Sequence, residues 1–506
     1  MAPSESNCNG ELKTRLRRTQ SVTRAEEITD QEQKQRKSQP DKPVHKPRDS
    51  LFSWSSNFND FSGLVNWGFL LLTMGGIRLL LENFIKYGFR VDPVQWLIVL
   101  SGKNEGDSSY PSVVLALYSS VPIVLCIIIE KGLSVEIIPE TTGKFAHVFN
   151  LIAVVLLPIV VINLRGTSFS LMGSTFVCFL YCILFVKLWS YVQVNLWCRQ
   201  NQKNQKVSIS GKRRESFSIA EFERKHHRNS NTDQNENFIA NDTKDHEPLK
   251  LIEYPDNLNL RDLIYFLLAP TLCYELNFPR TTRIRKRFLI KRILEVVVGV
   301  NIVMALFQQW MIPSVKNSLI PFSNMEFTKA TERVLKLAIP NHFIWLCGFY
   351  LIFHSTLNLL GEILHFADRN FYCDWWNANN VDTFWKTWNM PVHRWCVRHL
   401  YIPLVDMGYS RFAASGVVFF ISAFFHEYLV SVPLRTFKIW AFMGMVSQLP
   451  LSYVSKFLEK NVGERWGNIL VWGSLILGQP LCIMVYYHDY VIQNYNKVIL
   501  EPEYLE

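Results

Sequence analysis

The sequence predicts an all-α polytopic membrane protein of about nine spans, and three observations carry that prediction. Only 19% of its 506 residues are charged, against the roughly 25% usual in soluble domains, while 49% are hydrophobic. Aromatic residues reach 14%, with 35 Phe and 15 Trp, more than one soluble core of this length houses without a large apolar exterior. Apolar runs of about twenty residues recur along the chain, the length that crosses a hydrocarbon layer about 30 Å thick.

Residues 1–50 are rich in Glu, Gln, Lys, Arg, Ser and Pro and hold almost no large apolar side chain before Leu51 and Phe52. They predict a disordered basic cytosolic tail. The tail has no signal-peptide core, and position 2 is Ala, so the first span is expected to act as the targeting signal. Spans are expected to begin near Leu64, Ser112, Phe145, Leu171, Ile293, Leu337, Phe412, Ile439 and Trp466. Arg78 and Glu82 weaken the first, and Asn341, His342, His354, Asn358 and Glu362 interrupt the sixth. Polar groups at such depth must face protein or a water-filled cavity. Residues 51–500 therefore read as one membrane domain, with a flexible loop at 198–255, an aromatic-polar loop at 362–411, and a short luminal tail at 501–506.

The net charge of +10 comes from 53 Lys and Arg against 43 Asp and Glu. With a cytosolic N-terminus, most of the basic residues fall in loops on that side, which is the bias expected of a membrane protein rather than a phosphate-binding stripe; no nucleic-acid partner is expected. The sole Asn-x-Ser/Thr sequon, at Asn241, lies in the long loop placed in the cytosol. The ten cysteines form no CxxC pair and no metal-ligand spacing, so neither a disulfide framework nor a bound metal is expected. A P-loop, a dinucleotide fingerprint and a nucleophile elbow are all missing, which removes support for ATP-driven, nicotinamide and serine-hydrolase chemistry.

His426, in AFFHEYLVSVP, is an ionisable residue inside an apolar run and therefore a functional candidate by default. Helical spacing sets Ser422 and Ser415 on its face. A histidine that only bridges two helices is the equally weighted structural reading. A second feature is Phe371-Tyr372-Cys373-Asp374-Trp375-Trp376-Asn377, followed by Trp385, Trp388, Asn389, His393, Trp395 and His399. An interfacial aromatic belt accounts for the tryptophans, whereas the interleaved Asp374, Asn377, Asn389 and His393 suit a polar ligand headgroup. Gln479, between Gly478 and Pro480, sits where a proline frees a carbonyl inside the last span. From these residues alone, group transfer within the membrane and transport remain equally open.

FYCDWWN (371–377), WNMPVHRW (388–395) and FFHEYLVSVP (424–433) resemble the signature blocks of the membrane-bound O-acyltransferase (MBOAT) family, in its branch of sterol and diacylglycerol acyltransferases. The block at 254–288 resembles the diacylglycerol enzymes in particular. The resemblance runs from about Asp49 to the C-terminal tail. It implies a nine-span oligomer, homodimer or homotetramer, of the endoplasmic reticulum. Its helices would surround a buried chamber where acyl-CoA, a cosubstrate rather than a cofactor, acylates diacylglycerol. A sterol acceptor, or a non-enzymatic lipid transporter, is the alternative. By motif position, His426 matches the family's catalytic histidine and Asn389 the asparagine named with it. Glu427 and Gln479 match reaction-chamber positions, while Trp388, His393, Tyr401, Arg411 and Ser422 match acyl-CoA contacts. Phe371, Tyr372, Asp374, Trp375, Trp376 and Asn377 carry the signature motif.

Overall fold

The computed structural model describes residues 62–100, 110–165, 168–207, 252–319 and 327–494. The basic tail, the sequon and the last twelve residues lie outside them. Among the described residues there is no strand, only an isolated bridge between Arg280 and Phe366, as the apolar patterning predicts. Two compact units divide at Leu79 and Leu80. Of the first, only the start of helix α1 (Ser62–Tyr87) is described, with Leu70, Leu72, Met74 and Ile77 exposed.

The second unit continues through α2 (Pro93–Leu100), α3 (Pro111–Tyr118), α4 (Ser120–Ser134), α5 (Glu140–Leu164) and α6 (Leu171–Val207). After the long loop come the short α7 (Leu260–Leu268), α8 (Lys286–Leu306), α9 (Ile312–Lys316), α10 (Phe327–Phe349) and α11 (Leu357–Ile363). The aromatic-polar stretch folds as α12 (Val381–Thr387), α13 (Met390–Cys396) and α14 (Ile402–Asp406). The chain then runs through α15 (Arg411–Leu434), α16 (Trp440–Val446), α17 (Gln448–Asn461) and α18 (Glu464–Asn494).

Among the described residues, six stretches are long and apolar enough to cross a membrane: Pro111–Ser134, Glu140–Leu164, Leu171–Lys203, Phe327–Ile363, Arg411–Leu434 and Glu464–Ile492. Helices also occupy the other three positions where spans are expected, each with a feature that shortens or charges it. Arg78 and Glu82 place charges late in α1, and α8 carries Lys286, Arg287, Lys291, Arg292 and Glu295 in its first turns. The run from Ile439 breaks at Ser447 into α16 and α17.

Two buried carboxylates find cationic partners, as low-dielectric surroundings demand. Glu130 of α4, fully buried, receives Arg199 of α6 and faces His147 of α5 at 3.0 Å. Glu362 at the end of α11 takes Arg285 at 2.8 Å and Arg369 at 3.1 Å. Residues 198–207, expected as loop, continue α6, where Arg199 lies 3.5 Å from Glu140 and Gln202 donates to the Tyr254 carbonyl at 2.7 Å. The 252–279 segment is folded tightly against α6: Leu263, Phe266 and Tyr274 are fully buried. Asn257 donates to Asn195 at 2.8 Å and to Tyr274 Oη at 3.0 Å.

Candidate functional site

Helix α15 carries the histidine. Ser410 begins it by accepting from the Ala413 N–H at 3.1 Å, which satisfies one of the unpaired donors of the first turn. Arg435, in the left-handed region with φ 55°, ends it two residues after Pro433. His426 Nδ1 lies 2.7 Å from the Ser422 carbonyl. A carbonyl only accepts, so the proton sits on Nδ1, and in the neutral ring Nε2 keeps a bare lone pair. No described residue bonds Nε2. The side chain is exposed on α15 rather than wedged between helices. Two turns earlier on this helix, Phe419 meets Trp385 with ring centroids 6.4 Å apart, bringing the aromatic stretch against α15.

Glu427 is committed elsewhere. Its carboxylate accepts from Ser431, from Tyr486 Oη at 2.7 Å and 2.8 Å, and from the Phe442 N–H at 2.9 Å. It thereby ties α15 to α16 and α18. Gln479 on α18 accepts from Asn341 on α10 at 3.2 Å. Among the described residues no hydrogen bond joins His426 to Asn389, Glu427 or Gln479.

Within the signature motif, packing claims most of the aromatic residues. Trp375 is buried, edge-on to Trp345 at 5.2 Å and Phe349 at 5.0 Å, and also meets Phe384 and Trp472. Phe371 is buried in a second cluster with Ala269 and Phe366. Tyr372 Oη bonds His354 Nδ1 at 2.8 Å. The carbonyl of the exposed Trp376 accepts from Asn468 at 3.1 Å and Trp472 at 3.2 Å, fastening the motif to α18. Asp374 and Asn377 are exposed and bond one another at 3.4 Å.

Asn389 caps α13: its side-chain oxygen accepts from the Val392 N–H at 3.2 Å. No described residue takes its NH₂. Trp388 stacks on Phe384 at 6.0 Å and tilts against Phe353. His393 is half-buried; burial, then the charges of Lys386 and Arg394, pull it down to about 4, so it is neutral near pH 7. Tyr401 and Ser422 are half-buried, and Arg411 is exposed at the start of α15.

Sequence reasoning missed Lys187. It lies mid-way along α6, is buried, and donates to the carbonyls of Phe266, Leu267 and Ala269 at 2.9, 2.8 and 2.8 Å. The available signal was a lysine standing alone in the apolar part of a long helix. His399, noted only as part of the aromatic stretch, bonds Ser190 at 2.8 Å and Gln193 at 2.8 Å and stacks on Trp197.

The family model for MBOAT, the membrane-bound O-acyltransferase family, matches residues 159–488, a stretch holding every candidate residue above. The chain belongs to the membrane-bound O-acyltransferase family. It is similar to Diacylglycerol O-acyltransferase 1 of Chlorocebus aethiops, 45% identical over 456 residues, 90% of this chain and 85% of that one. The human protein of that name is 44% identical over 458 residues, 90% of this chain and 86% of its own. Diacylglycerol O-acyltransferase 1A of Glycine max is 35% identical over 454 residues, 89% and 82% respectively. The MBOAT match begins near the end of α5, whereas the similarity to these relatives extends over about 90% of the chain.

Proposed function

We propose that this protein transfers a fatty acyl group from acyl-CoA to the free hydroxyl of diacylglycerol, giving triacylglycerol and CoA. The observation that carries the reading is His426, an exposed side chain with its proton on Nδ1 and no described partner on Nε2. A lipid hydroxyl ionises far above pH 7 and attacks a thioester poorly unaided. The Nε2 lone pair takes its proton as the new C–O bond forms, and the C–S bond then breaks. That proton passes to the departing thiolate, so the enzyme ends as it began. Transfer is direct, within a ternary complex: the CoA head arrives from the cytosol and the acceptor from the lipid. No covalent acyl-enzyme and no cofactor are required.

Asn389, through its uncommitted NH₂, is assigned to the thioester carbonyl, where such donors contribute about 3 kcal/mol. Glu427 and Gln479 are assigned to the chamber, and Trp388, His393, Tyr401, Arg411 and Ser422 to acyl-CoA. Exclusion of water protects the thioester from hydrolysis. The reading includes nine spans in the endoplasmic reticulum membrane, a cytosolic N-terminus and tail at 1–50, a catalytic region at 51–500, a luminal C-terminus, and a homodimer or homotetramer. The similarity to diacylglycerol acyltransferases over most of the chain favours this acceptor over a sterol.

The test is acyl transfer from labelled oleoyl-CoA by purified wild type and His426→Ala, each offered diacylglycerol and cholesterol. Diacylglycerol should be acylated by wild type alone, with a loss of about 10³-fold in the variant. Transfer to cholesterol only, or a fully active variant, would overturn the reading.

A further inference from the structure

Asn341 holds none of the roles assigned above. It follows Pro340 inside α10, is buried, and its Nδ2 donates to Gln479 Oε1 at 3.2 Å. Engaging that oxygen fixes the rotation of the Gln479 amide. Its Nε2 hydrogens, which no described residue accepts, then point away from α10 as free donors on a half-buried side chain. A second contact locks the same register: the His342 ring lies 5.7 Å from Trp345 and 5.5 Å from Trp472. Trp472 and Tyr486 stand seven residues before and after Gln479, two helical turns each way on one face of α18. Tyr486 reaches Glu427 on α15, next to His426. The face of α18 that bears Gln479 therefore looks toward both α10 and the helix of the candidate base.

We propose that the Asn341–Gln479 amide pair recognises an ester carbonyl of the acceptor lipid, with Gln479 Nε2 as the donor and Asn341 as a positioning residue. This rests on the diacylglycerol reading above and adds what part of the acceptor is sensed. Diacylglycerol offers two ester carbonyl oxygens; a sterol offers none. A chamber donor left without its acceptor loses a hydrogen bond that water no longer replaces, which is how polar sites reject analogues lacking one group. The pair thus contributes to acceptor choice rather than to the chemical step.

The experiment measures kcat and KM for dioleoylglycerol, for its 1-O-alkyl and 2-O-alkyl ether analogues, and for oleoyl-CoA. It compares purified wild type with Asn341→Leu, Gln479→Met and the double variant. Both replacements roughly keep side-chain volume, and removing both polar partners together leaves no orphan, so the double variant serves if a single one misfolds. Wild type should show kcat/KM about five- to tenfold lower for one ether analogue than for the diester. The variants should lose that ratio by raising KM for the diester, with KM for oleoyl-CoA unmoved. Variants that keep the wild-type ester preference, or that lower kcat equally for every acceptor, would overturn the proposal. Wild type inactive on every glyceride would instead defeat the diacylglycerol reading itself.

Discussion

The ammonium of Lys187 lies 2.8 Å from the carbonyl oxygen of Ala269, the residue that ends α7. The carbonyls of Phe266 and Leu267 converge on the same nitrogen. A helix leaves its last carbonyls unpaired and partly negative, so one buried cation satisfies three acceptors and complements the dipole. Lys187→Met should leave those carbonyls unsatisfied and cost about 3 kcal/mol. The check is thermal unfolding of the detergent-purified variant, and an unchanged midpoint would show that α7 does not depend on the lysine.

Tyr486 donates to a carboxylate that also receives a backbone N–H from Phe442 and a hydroxyl from Ser431. This knot holds three helices, α15, α16 and α18. Tyr486→Phe deletes one donor and keeps the ring, with an expected cost of about 1–2 kcal/mol. Because Glu427 precedes no chemistry directly but follows His426 on α15, kcat should fall modestly while KM for acyl-CoA stays within twofold of about the wild-type value. Steady-state kinetics beside a thermal scan separates the two effects.

Six of the expected spans were legible because a hydrocarbon slab imposes long apolar runs, and the same slab makes the His-Glu pair at 426 stand out as a candidate. Lys187 was not, since its partners are backbone carbonyls 79 to 82 residues away, and carbonyls have no sequence signature. Asn389 showed its polarity but not that its oxygen is spent on capping α13. The same limit affects FYCDWWN: an aromatic-polar mixture announces an interface, but exposure decides which members hold the fold. His354 and Glu362 made the sixth span look weak, yet Tyr372, Arg285 and Arg369 satisfy them.

The two halves of that motif should separate on mutation. Trp375 is buried against five aromatic neighbours, so Trp375→Ala should cost about 3–5 kcal/mol and reduce folded yield sharply. Asp374 is exposed with one weak partner at 3.4 Å, and Asp374→Asn should change stability by less than about 0.5 kcal/mol. If Asp374→Asn nonetheless raises KM for acyl-CoA with folding intact, the exposed half of the motif contacts ligand. Size-exclusion profiles together with kinetics give both readouts.

His399 makes stability depend on pH. Its Nδ1 faces Gln193 Oε1, which also takes the Trp189 N–H at 3.0 Å and can only accept, so Nδ1 carries the proton. Nε2 then accepts from Ser190, whose oxygen in turn accepts from the Tyr274 N–H at 2.7 Å. This neutral arrangement is closed on all sides. Burial, followed by the adjacent Arg398, lowers His399 to about 3, against about 6.5 in an unfolded chain. Between those values the unfolded state binds the extra proton, so stability is complete above about pH 6.5 and declines as pH falls toward 3. At pH 5 the loss from this one group is about 2 kcal/mol. His399→Gln cannot titrate, so although it unfolds at a lower temperature at pH 7.5, its midpoint should fall less between pH 6.5 and 5 than that of wild type. Parallel slopes for the two proteins over that window would show that the imidazole is not the group responsible.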